Sequence, residues 1–286
     1  MRIRAPAKVN LSLRVVGKRR DGYHLLDTVM VPVGLYDEIR ITRPKSRTAG
    51  KDVLKVTCNH PLVPSGRENL AYQAASLLLT KKGVLDPIHI HIRKRIPVGG
   101  GLGGGSSDAA ATLQGLNRLF HLGLQSRELL SLAASLGADV PFFIRARPVR
   151  ARGIGELLRP LPGFPRLWLI ILYPGFPLST RWVYQNLRFS KLTKDIENTK
   201  INFPLRDPEE VRRLLVNDLE KVAMRRYPQI AFLKERLFQE GAAGALMSGS
   251  GSSVFGIFSS AQRAREAFHR LRKEEGVQAY LVRSLS

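Results

Sequence analysis

Pro97-Val-Gly-Gly-Gly-Leu-Gly-Gly-Gly-Ser-Ser-Asp-Ala-Ala-Ala111 puts six glycines between two ordered stretches of chain. Upstream, Ile88-His-Ile-His-Ile-Arg-Lys-Arg-Ile96 alternates apolar and polar residues as a strand does, and downstream Ala109 to Leu119 carries a helical pattern. The glycines join two elements, which a flexible linker does not. Glycine lacks a Cβ, so successive backbone N–H groups can turn toward one anion, and the following helix adds the unpaired donors and positive dipole of its first turn. Ser106 and Ser107 suit the cap of that helix, read as Ser107 to Phe120. This is the composition of a phosphate cradle. Gly99, Gly101 and Gly104 formally satisfy the dinucleotide pattern G-x-G-x-x-G, but no acidic residue near position 120 is available for a ribose. Ser106-Ser107-Asp108 after the last glycine excludes a Walker loop, and the V-A-I-K, H-R-D and D-F-G signatures of protein kinases are missing.

The 286 residues suffice for one large or two modest domains, and 44% hydrophobic with 24% charged residues is ordinary for a folded, soluble protein. Forty-six Lys and Arg against 23 Asp and Glu leave a formal charge of +23, which points to acidic partners: nucleic acid, an anionic membrane or small polyphosphates. The charge is scattered, with no basic tail, and a generally basic proteome accounts for much of it. Cys58 is the single cysteine, which leaves no intrachain disulfide and no cysteine-based metal site. Met1-Arg-Ile-Arg-Ala-Pro-Ala-Lys8 is not an apolar signal segment, and Leu167 to Tyr173 is far short of the roughly 20 residues that cross a bilayer. A soluble cytoplasmic protein is expected.

Strands are read at Val9–Val16, Val29–Leu35, Glu38–Thr42, Val53–Thr57, Leu167–Leu172, Gly244–Met247, Val254–Phe258 and Ala279–Arg283. Helices are read at Asn69–Lys81, Ser126–Leu136, Pro208–Val216, Asn217–Arg226, Pro228–Gln239 and Ala261–Glu275. The fold class is α+β. Pro160-Leu-Pro-Gly-Phe-Pro165 marks a boundary between residues 1–160 and residues 161–286.

Three further segments carry chemistry. In Pro6-Ala-Lys-Val-Asn-Leu-Ser-Leu13 the two-residue period of a strand puts Lys8 and Asn10 on one side, where Lys8 reads either as a solvated lysine at a strand start or as a cation seeking an anion. In Leu136-Gly-Ala-Asp-Val-Pro-Phe-Phe143, Asp139 reads equally as a helix cap or as a catalytic carboxylate. Leu246-Met-Ser-Gly-Ser-Gly-Ser-Ser-Val-Phe255 is either a tight turn or a second loop that holds the first one or its anion.

In order and spacing these segments resemble the GHMP kinase superfamily, whose three motifs correspond to Pro6–Leu13, Pro97–Ala111 and Met247–Gly256. Lys18-Arg-Arg-Asp-Gly-Tyr-His-Leu-Leu-Asp-Thr28, Gly137-Ala-Asp-Val-Pro141 and Gly153-Ile-Gly-Glu156 narrow the likeness to the branch acting on 4-diphosphocytidyl-2-C-methyl-D-erythritol in non-mevalonate isoprenoid synthesis. The resemblance implies a two-lobe fold, an amino-terminal lobe like domain 2 of ribosomal protein S5 and a ferredoxin-like carboxy-terminal lobe, with the active site between them. It implies Asp139 as general base and Lys8 as the cation beside the reacting hydroxyl. ATP is implied on Pro97, Val98, Gly99, Gly100, Gly101, Leu102, Gly103, Gly104, Gly105, Ser106 and Ser107, with Asn69 and Lys94 on the nucleotide side and Mg²⁺ carried mainly by the ATP phosphates. Asn10, Tyr23, His24, Thr180 and Tyr184 are implied for the cytidylyl substrate, a small molecule in place of nucleic acid or membrane. Another GHMP small-molecule kinase, such as a mevalonate or homoserine kinase, is the near alternative and would share the glycine loop but lack the Asp-Gly-Tyr-His segment; an RNA- or DNA-binding protein with an S5-like lobe is the alternative from another class, but no basic stripe interleaves with aromatics.

The chain departs from the pattern at Arg145-Ala-Arg-Pro-Val-Arg-Ala-Arg152, where the family commonly shows Gly and small residues, and along Phe189 to Pro204. The extra arginines, Arg150 and Arg152 among them, are expected to meet the substrate diphosphate.

Overall fold

The computed structural model describes residues 1–44, 53–187 and 208–286; the divergent connection from Phe189 to Pro204 lies outside the described residues. The chain forms two compact units, Met1–Ala7 with Leu35–Val98 and Gly103–Ala146, and Lys8–Gly34 with Gly99–Leu102 and Arg147–Ser286. Two long strands, β1 (Arg2–Lys18) and β2 (His24–Thr42), contribute residues to both. Both outrun the sequence reading. Pro6 lacks a ladder donor and so hides the first half of β1. The acid Asp37 splits the apolar pattern of β2 into two apparent strands, whereas the backbone runs on through it with Asp37 fully buried.

In the first unit β3 (Leu54–Cys58), the helix α1 (Leu70–Lys82) and β4 (Ile88–Arg93) make a crossover, with β3 and β4 parallel from Leu54 opposite Ile88. The other edge of β4 runs antiparallel to the end of β2, Glu38 opposite Arg93 through Thr42 opposite His89. The helices α2 (Gly104–Leu119), α3 (Ser126–Leu136) and α4 (Val140–Arg145) complete the unit. Ala71, Ala74, Ala75 and Leu78 of α1 and Ala109, Ala110, Leu113 and Leu116 of α2 are buried, and the small alanines let these two helices pack closely. α2 begins three residues earlier than the serines suggest. Gly103, with φ 72°, ends the loop and Gly104 opens the helix, so neither serine is the cap.

In the second unit the chain runs β5 (Val149–Gly153), β6 (Leu157–Pro160), β7 (Trp168–Tyr173), α5 (Thr180–Gln185), α6 (Pro208–Arg212), β8 (Val216–Asn217), α7 (Glu220–Arg226), α8 (Pro228–Gln239), β9 (Gly244–Met247), β10 (Val254–Phe258), α9 (Ala261–Leu271) and β11 (Gln278–Arg283). Strands β7, β9, β10 and β11 form an antiparallel sheet in the order β11-β7-β10-β9. With α8 before β9 and α9 after β10, this is the β-α-β-β-α-β pattern of ferredoxin-like domains. Its core includes Ile170, Leu172, Leu233, Leu237, Phe258 and Leu271, each worth roughly 1.5–3 kcal/mol on full burial. In the same unit β8 lies parallel to β1, Ser12 opposite Val216, and β5 pairs with the start of β2, Leu26 opposite Gly153.

Candidate active site

Every residue of β1 from Ala7 to Leu13 is buried, and the strand is two-faced within that burial. Ala7, Val9, Leu11 and Leu13 occupy one side; Lys8, Asn10 and Ser12 occupy the other. Lys8 is 5% exposed in mid-strand, so the reading of it as a solvated lysine at a strand start does not hold. Its ammonium donates to Asn10 Oδ1, Asn10 Nδ2 donates to Thr28 Oγ1 at 2.8 Å, and Thr28 Oγ1 donates to the Ser12 carbonyl at 2.5 Å. Ser12 Oγ accepts the Val29 N–H at 3.0 Å. The chain of bonds fixes the lysine's direction, because Asn10 has no rotamer freedom left once its amide is held at Thr28.

The first glycine loop is tied down through its carbonyls. Gly99 O accepts from Leu178 N at 3.0 Å, Gly100 O from Ser253 N at 3.2 Å, Gly101 O from Ser248 Oγ at 3.1 Å and Leu102 O from Lys8 N at 3.0 Å. The amide N–H groups of Gly99 to Leu102 meet no protein acceptor among the described residues. A loop whose oxygens are consumed and whose N–H groups are not is a donor surface suited to an oxyanion. The second loop, which joins β9 to β10, is the clamp. A Cβ on Gly101 would stand 2.1 Å from Ser248 O, so the two loops touch backbone to backbone. A Cβ on Gly249 would come within 3.3 Å of Lys8 Nζ and 3.2 Å of Asn10 Oδ1, which puts this loop beside the buried lysine as well. The clamp is held from behind by Asn217 and Glu220. Asn217 Nδ2 donates to Met247 O and Gly249 O at 2.8 and 2.7 Å, and Glu220 Oε1 accepts the Met247 N–H at 2.9 Å.

In the first unit the start of α2 carries no side-chain cap, so its leading N–H groups stay available for an anion. Beneath it lies a buried charge cluster. Lys94 Nζ donates to Asp37 Oδ2 at 2.5 Å and to Asp108 Oδ2 at 2.9 Å, with side chains 4%, 0% and 4% exposed in that order. Asp37 Oδ1 takes the N–H groups of Arg95 and Ile96 at 2.6 and 2.9 Å, whereas Asp108 Oδ1 and the neighbouring Ser107 Oγ are buried with no hydrogen-bond partner among the described residues. Burial pushes Asp108 up to about 8, with Lys94 opposing and Asp37 adding to the rise. Burial pulls Lys94 down, but Asp108 and Asp37 together outweigh it and hold the ammonium above its ordinary value. Asn69 caps α1, accepting the Ala71 N–H at 2.8 Å and donating to Pro64 O at 2.7 Å. Asp139 is half-buried immediately before α4, and its side chain does not cap that helix.

Of the residues expected at the cytidylyl group, His24, Thr180 and Tyr184 are near one another in the second unit. The rings of His24 and Tyr184 stack at 5.0 Å and 27°, and Thr180, one helical turn before Tyr184 on α5, shares a 2.8 Å hydrogen bond with Ser250 of the clamp loop. Tyr23 is 61% exposed. Burial, and then the Lys18 ammonium, hold the His24 imidazole below its ordinary value. Arg150 is engaged elsewhere: its guanidinium grips Asp27 with two hydrogen bonds at 2.7 and 2.5 Å, and Arg152 adds a contact at 3.4 Å. Arg150 and Arg152 lie on β5, where they neutralise Asp27 on the paired strand.

Sequence reasoning passed over Thr28, Asp37, Asn217 and Glu220. Asp37 had a signal, an acid inside an otherwise apolar strand; Asn217 and Glu220 look like ordinary helix surface until the clamp loop is folded beside them.

In the second unit the donor loop beside the buried Lys8 fits a phosphate oxyanion, and in the first unit the uncapped start of α2 does so by itself. Among the described residues no group of three or more His, Cys, Asp or Glu side chains is gathered to hold a metal ion, and no helix is long and apolar enough to cross a membrane. The family models for the GHMP kinase amino-terminal and carboxy-terminal domains match residues 69–147 and 196–278. The chain belongs to the GHMP kinases, enzymes that transfer a phosphoryl group from ATP to an alcohol. Among its relatives, 4-diphosphocytidyl-2-C-methyl-D-erythritol kinase of Geobacter metallireducens is 47% identical over 283 residues, 99% of this chain and 98% of that one. A crystal structure of 4-(cytidine 5'-diphospho)-2C-methyl-D-erythritol kinase superposes with a TM-score of 0.82 at 38% identity, covering all of both chains. The mevalonate kinase of Methanococcus jannaschii shares the fold, with a TM-score of 0.74 at 16% identity over all of this chain and 98% of that one.

Proposed function

We propose that the chain phosphorylates the 2-hydroxyl of 4-diphosphocytidyl-2-C-methyl-D-erythritol, an intermediate of the non-mevalonate route to isoprenoids. The observation that carries this choice of acceptor is the His24–Tyr184 stack, which joins the last residue of the Asp21-Gly-Tyr-His24 segment to α5. Two stacked rings with a hydrogen-bonding edge suit a flat polar base, which mevalonate, homoserine and galactose do not have. Relatives at 42–47% identity that carry this activity in their names support the same choice.

In this reading Asp139 accepts the proton of the 2-hydroxyl as its oxygen bonds to the γ-phosphorus, and the bond to the ADP oxygen breaks. An ionised carboxylate is a weak base, so its contribution is to orient the hydroxyl and to take the proton late in the transfer. Lys8, aimed by Asn10, stabilises the negative charge on the reacting oxygens. The amide donors of Gly99 to Gly105 hold the phosphates and stabilise the charge that develops on their oxygens during transfer. Tyr23, His24, Thr180 and Tyr184 hold the cytidylyl group, and Asn10 faces the hydroxyl end. Mg²⁺ would be held mainly by the ATP phosphates and would supply charge neutralisation there. Asn69 and Lys94 stay on the nucleotide side of the site.

The test is ADP release from ATP and Mg²⁺ with the cytidylyl compound, mevalonate, homoserine and galactose as separate acceptors. Turnover confined to the cytidylyl compound is expected. Turnover of another acceptor in its place refutes the substrate while leaving the kinase.

A further inference from the structure

The cluster Asp37–Lys94–Asp108 is larger than a loop needs for stability. A buried ion pair seldom stabilises a fold more than well-packed apolar residues of the same size would, and a third buried charge makes the balance worse. Its position suggests another use. A Cβ added to Gly104, the first residue of α2, would stand 2.9 Å from Lys94 Nζ, 3.2 Å from Ile96 Cγ2 and 3.4 Å from Asp37 Oδ2. The helix start rests directly on the ammonium and carboxylate, with no side chain between. Asp108 lies one turn further along the same helix, so Lys94 reaches α2 at Asp108 while Asp37 anchors it to the end of β2.

We propose that Asp37, Lys94 and Asp108 are positioning residues for phosphoryl transfer, a buried clamp that sets the height and direction of the first turn of α2 so that its N–H groups meet the ATP phosphates. The inference rests on the reading that this loop binds ATP, and it gives Lys94 a role exerted through backbone, without contact to the nucleotide. The hydrogen bonds divide the two acids. Asp37 receives three donors and is built to be a carboxylate; Asp108 receives one, and its other oxygen has none. A carboxyl so poorly supplied with donors favours its neutral form. Ammonium, one carboxylate and one neutral acid then sum to no charge beneath the helix start. With both acids ionised, the cluster would put a net negative charge under a surface meant for phosphate. The rise of Asp108 above the ordinary carboxylate range agrees with this division.

The test is direct binding of AMP-PNP by calorimetry, with binding of the cytidylyl acceptor measured alongside, for the wild type and for Asp37→Asn, Asp108→Asn and the double change Asp37→Asn with Lys94→Met. Asp108→Asn swaps a neutral acid for a neutral amide of the same shape and is expected to weaken AMP-PNP less than Asp37→Asn does. Asp37→Asn removes the carboxylate that ties Lys94 and the Arg95 and Ile96 N–H groups to β2, and is expected to weaken AMP-PNP at least tenfold while acceptor affinity stays put. The double change removes both charges, so it remains foldable if Asp37→Asn does not, and the same selective loss is expected of it. A merely structural role would spare AMP-PNP affinity in the folded variants or weaken both ligands alike, and either result overturns the proposal. So does equal damage from Asp108→Asn and Asp37→Asn. A wild type that binds the acceptor but no AMP-PNP overturns the ATP reading itself, which separates the two failures.

Discussion

Replacing Gly101 by alanine tests whether the two glycine loops touch as described. The substitution has two costs. Gly101 has φ +74°, and a left-handed backbone costs a residue with a Cβ roughly 1–2 kcal/mol. The new methyl would also sit 2.1 Å from Ser248 O and 3.0 Å from both Gly251 N and Gly251 O, all backbone atoms that no rotamer change can move. Overpacking of this kind adds about 1–3 kcal/mol. Gly123 isolates the first cost: its φ is +67° and nothing lies within 4 Å of its missing Cβ. Gly123→Ala is therefore expected to lose only the conformational part, about 1–2 kcal/mol, and to bind AMP-PNP as the wild type does. Gly101→Ala is expected to lose about 2–5 kcal/mol in urea unfolding, or to relieve the clash by shifting the loop and give up nucleotide affinity in its place. The two variants, unfolded side by side and titrated with AMP-PNP, decide the matter. If Gly101→Ala loses no more stability than Gly123→Ala and keeps its AMP-PNP affinity, the loop contact is wrong.

Asp139→Asn is expected to lower kcat by about 10²–10⁴-fold with both KM values within a few-fold; steady-state kinetics check it, and a loss under tenfold removes Asp139 as the base. Arg150→Ala is expected to destabilise the protein by about 1.5–3 kcal/mol, the usual worth of hydrogen bonds to a charged group, without changing the acceptor KM; a raised KM at unchanged stability would return Arg150 to the substrate. His24 is expected to titrate below 6.5 by NMR, and Lys18→Ala to move it upward. A histidine with a depressed folded value contributes stability above its unfolded pKa and loses it as pH falls through the folded one, so the urea midpoint should drop below pH 6.5 more in the wild type than in His24→Gln. An imidazole titrating at or above 6.5 refutes the half-buried stack.

Elements with regular periodicity or firm stops were legible in the sequence. Ser126–Leu136, Pro228–Gln239, Gly244–Met247 and Val254–Phe258 lie where their patterns put them. What escaped depended on distant chain. β5 reads as an arginine-rich irregular stretch because its arginines are neutralised by Asp27, more than a hundred residues earlier. The unbroken β2 could not be foreseen, since a strand carries a buried acid only where donors come to meet it, and those of Asp37 come from Lys94, Arg95 and Ile96. At the site, the side shared by Lys8 and Asn10 followed from the two-residue period alone. The burial of Lys8 did not, because it depends on Asn10, Thr28 and the clamp loop together.

Many of the buried polar residues hold the glycine loop or the helix that follows it. Lys8, Asn10, Ser12, Thr28, Asn217, Glu220 and Ser248 do so in one unit, and Asp37 and Asp108 in the other. Apolar residues at the same places would stabilise a fold at least as well, so stability does not explain the choice. Direction does. A leucine fills a hole in several orientations, whereas Asn217 can donate to Met247 O and Gly249 O at 2.8 and 2.7 Å only with the clamp loop at one height. Each link passes that constraint forward, from Asn217 and Glu220 to the Met247–Gly249 backbone, from Ser248 to Gly101 O, and from Leu102 O to Lys8 N. Donors fixed before the substrate arrives need no reorganisation when charge moves to the transferring phosphoryl oxygens, and that saving is where an enzyme without covalent chemistry gains most of its rate. The glycines make the close approach possible, and the buried polar side chains leave it only one geometry.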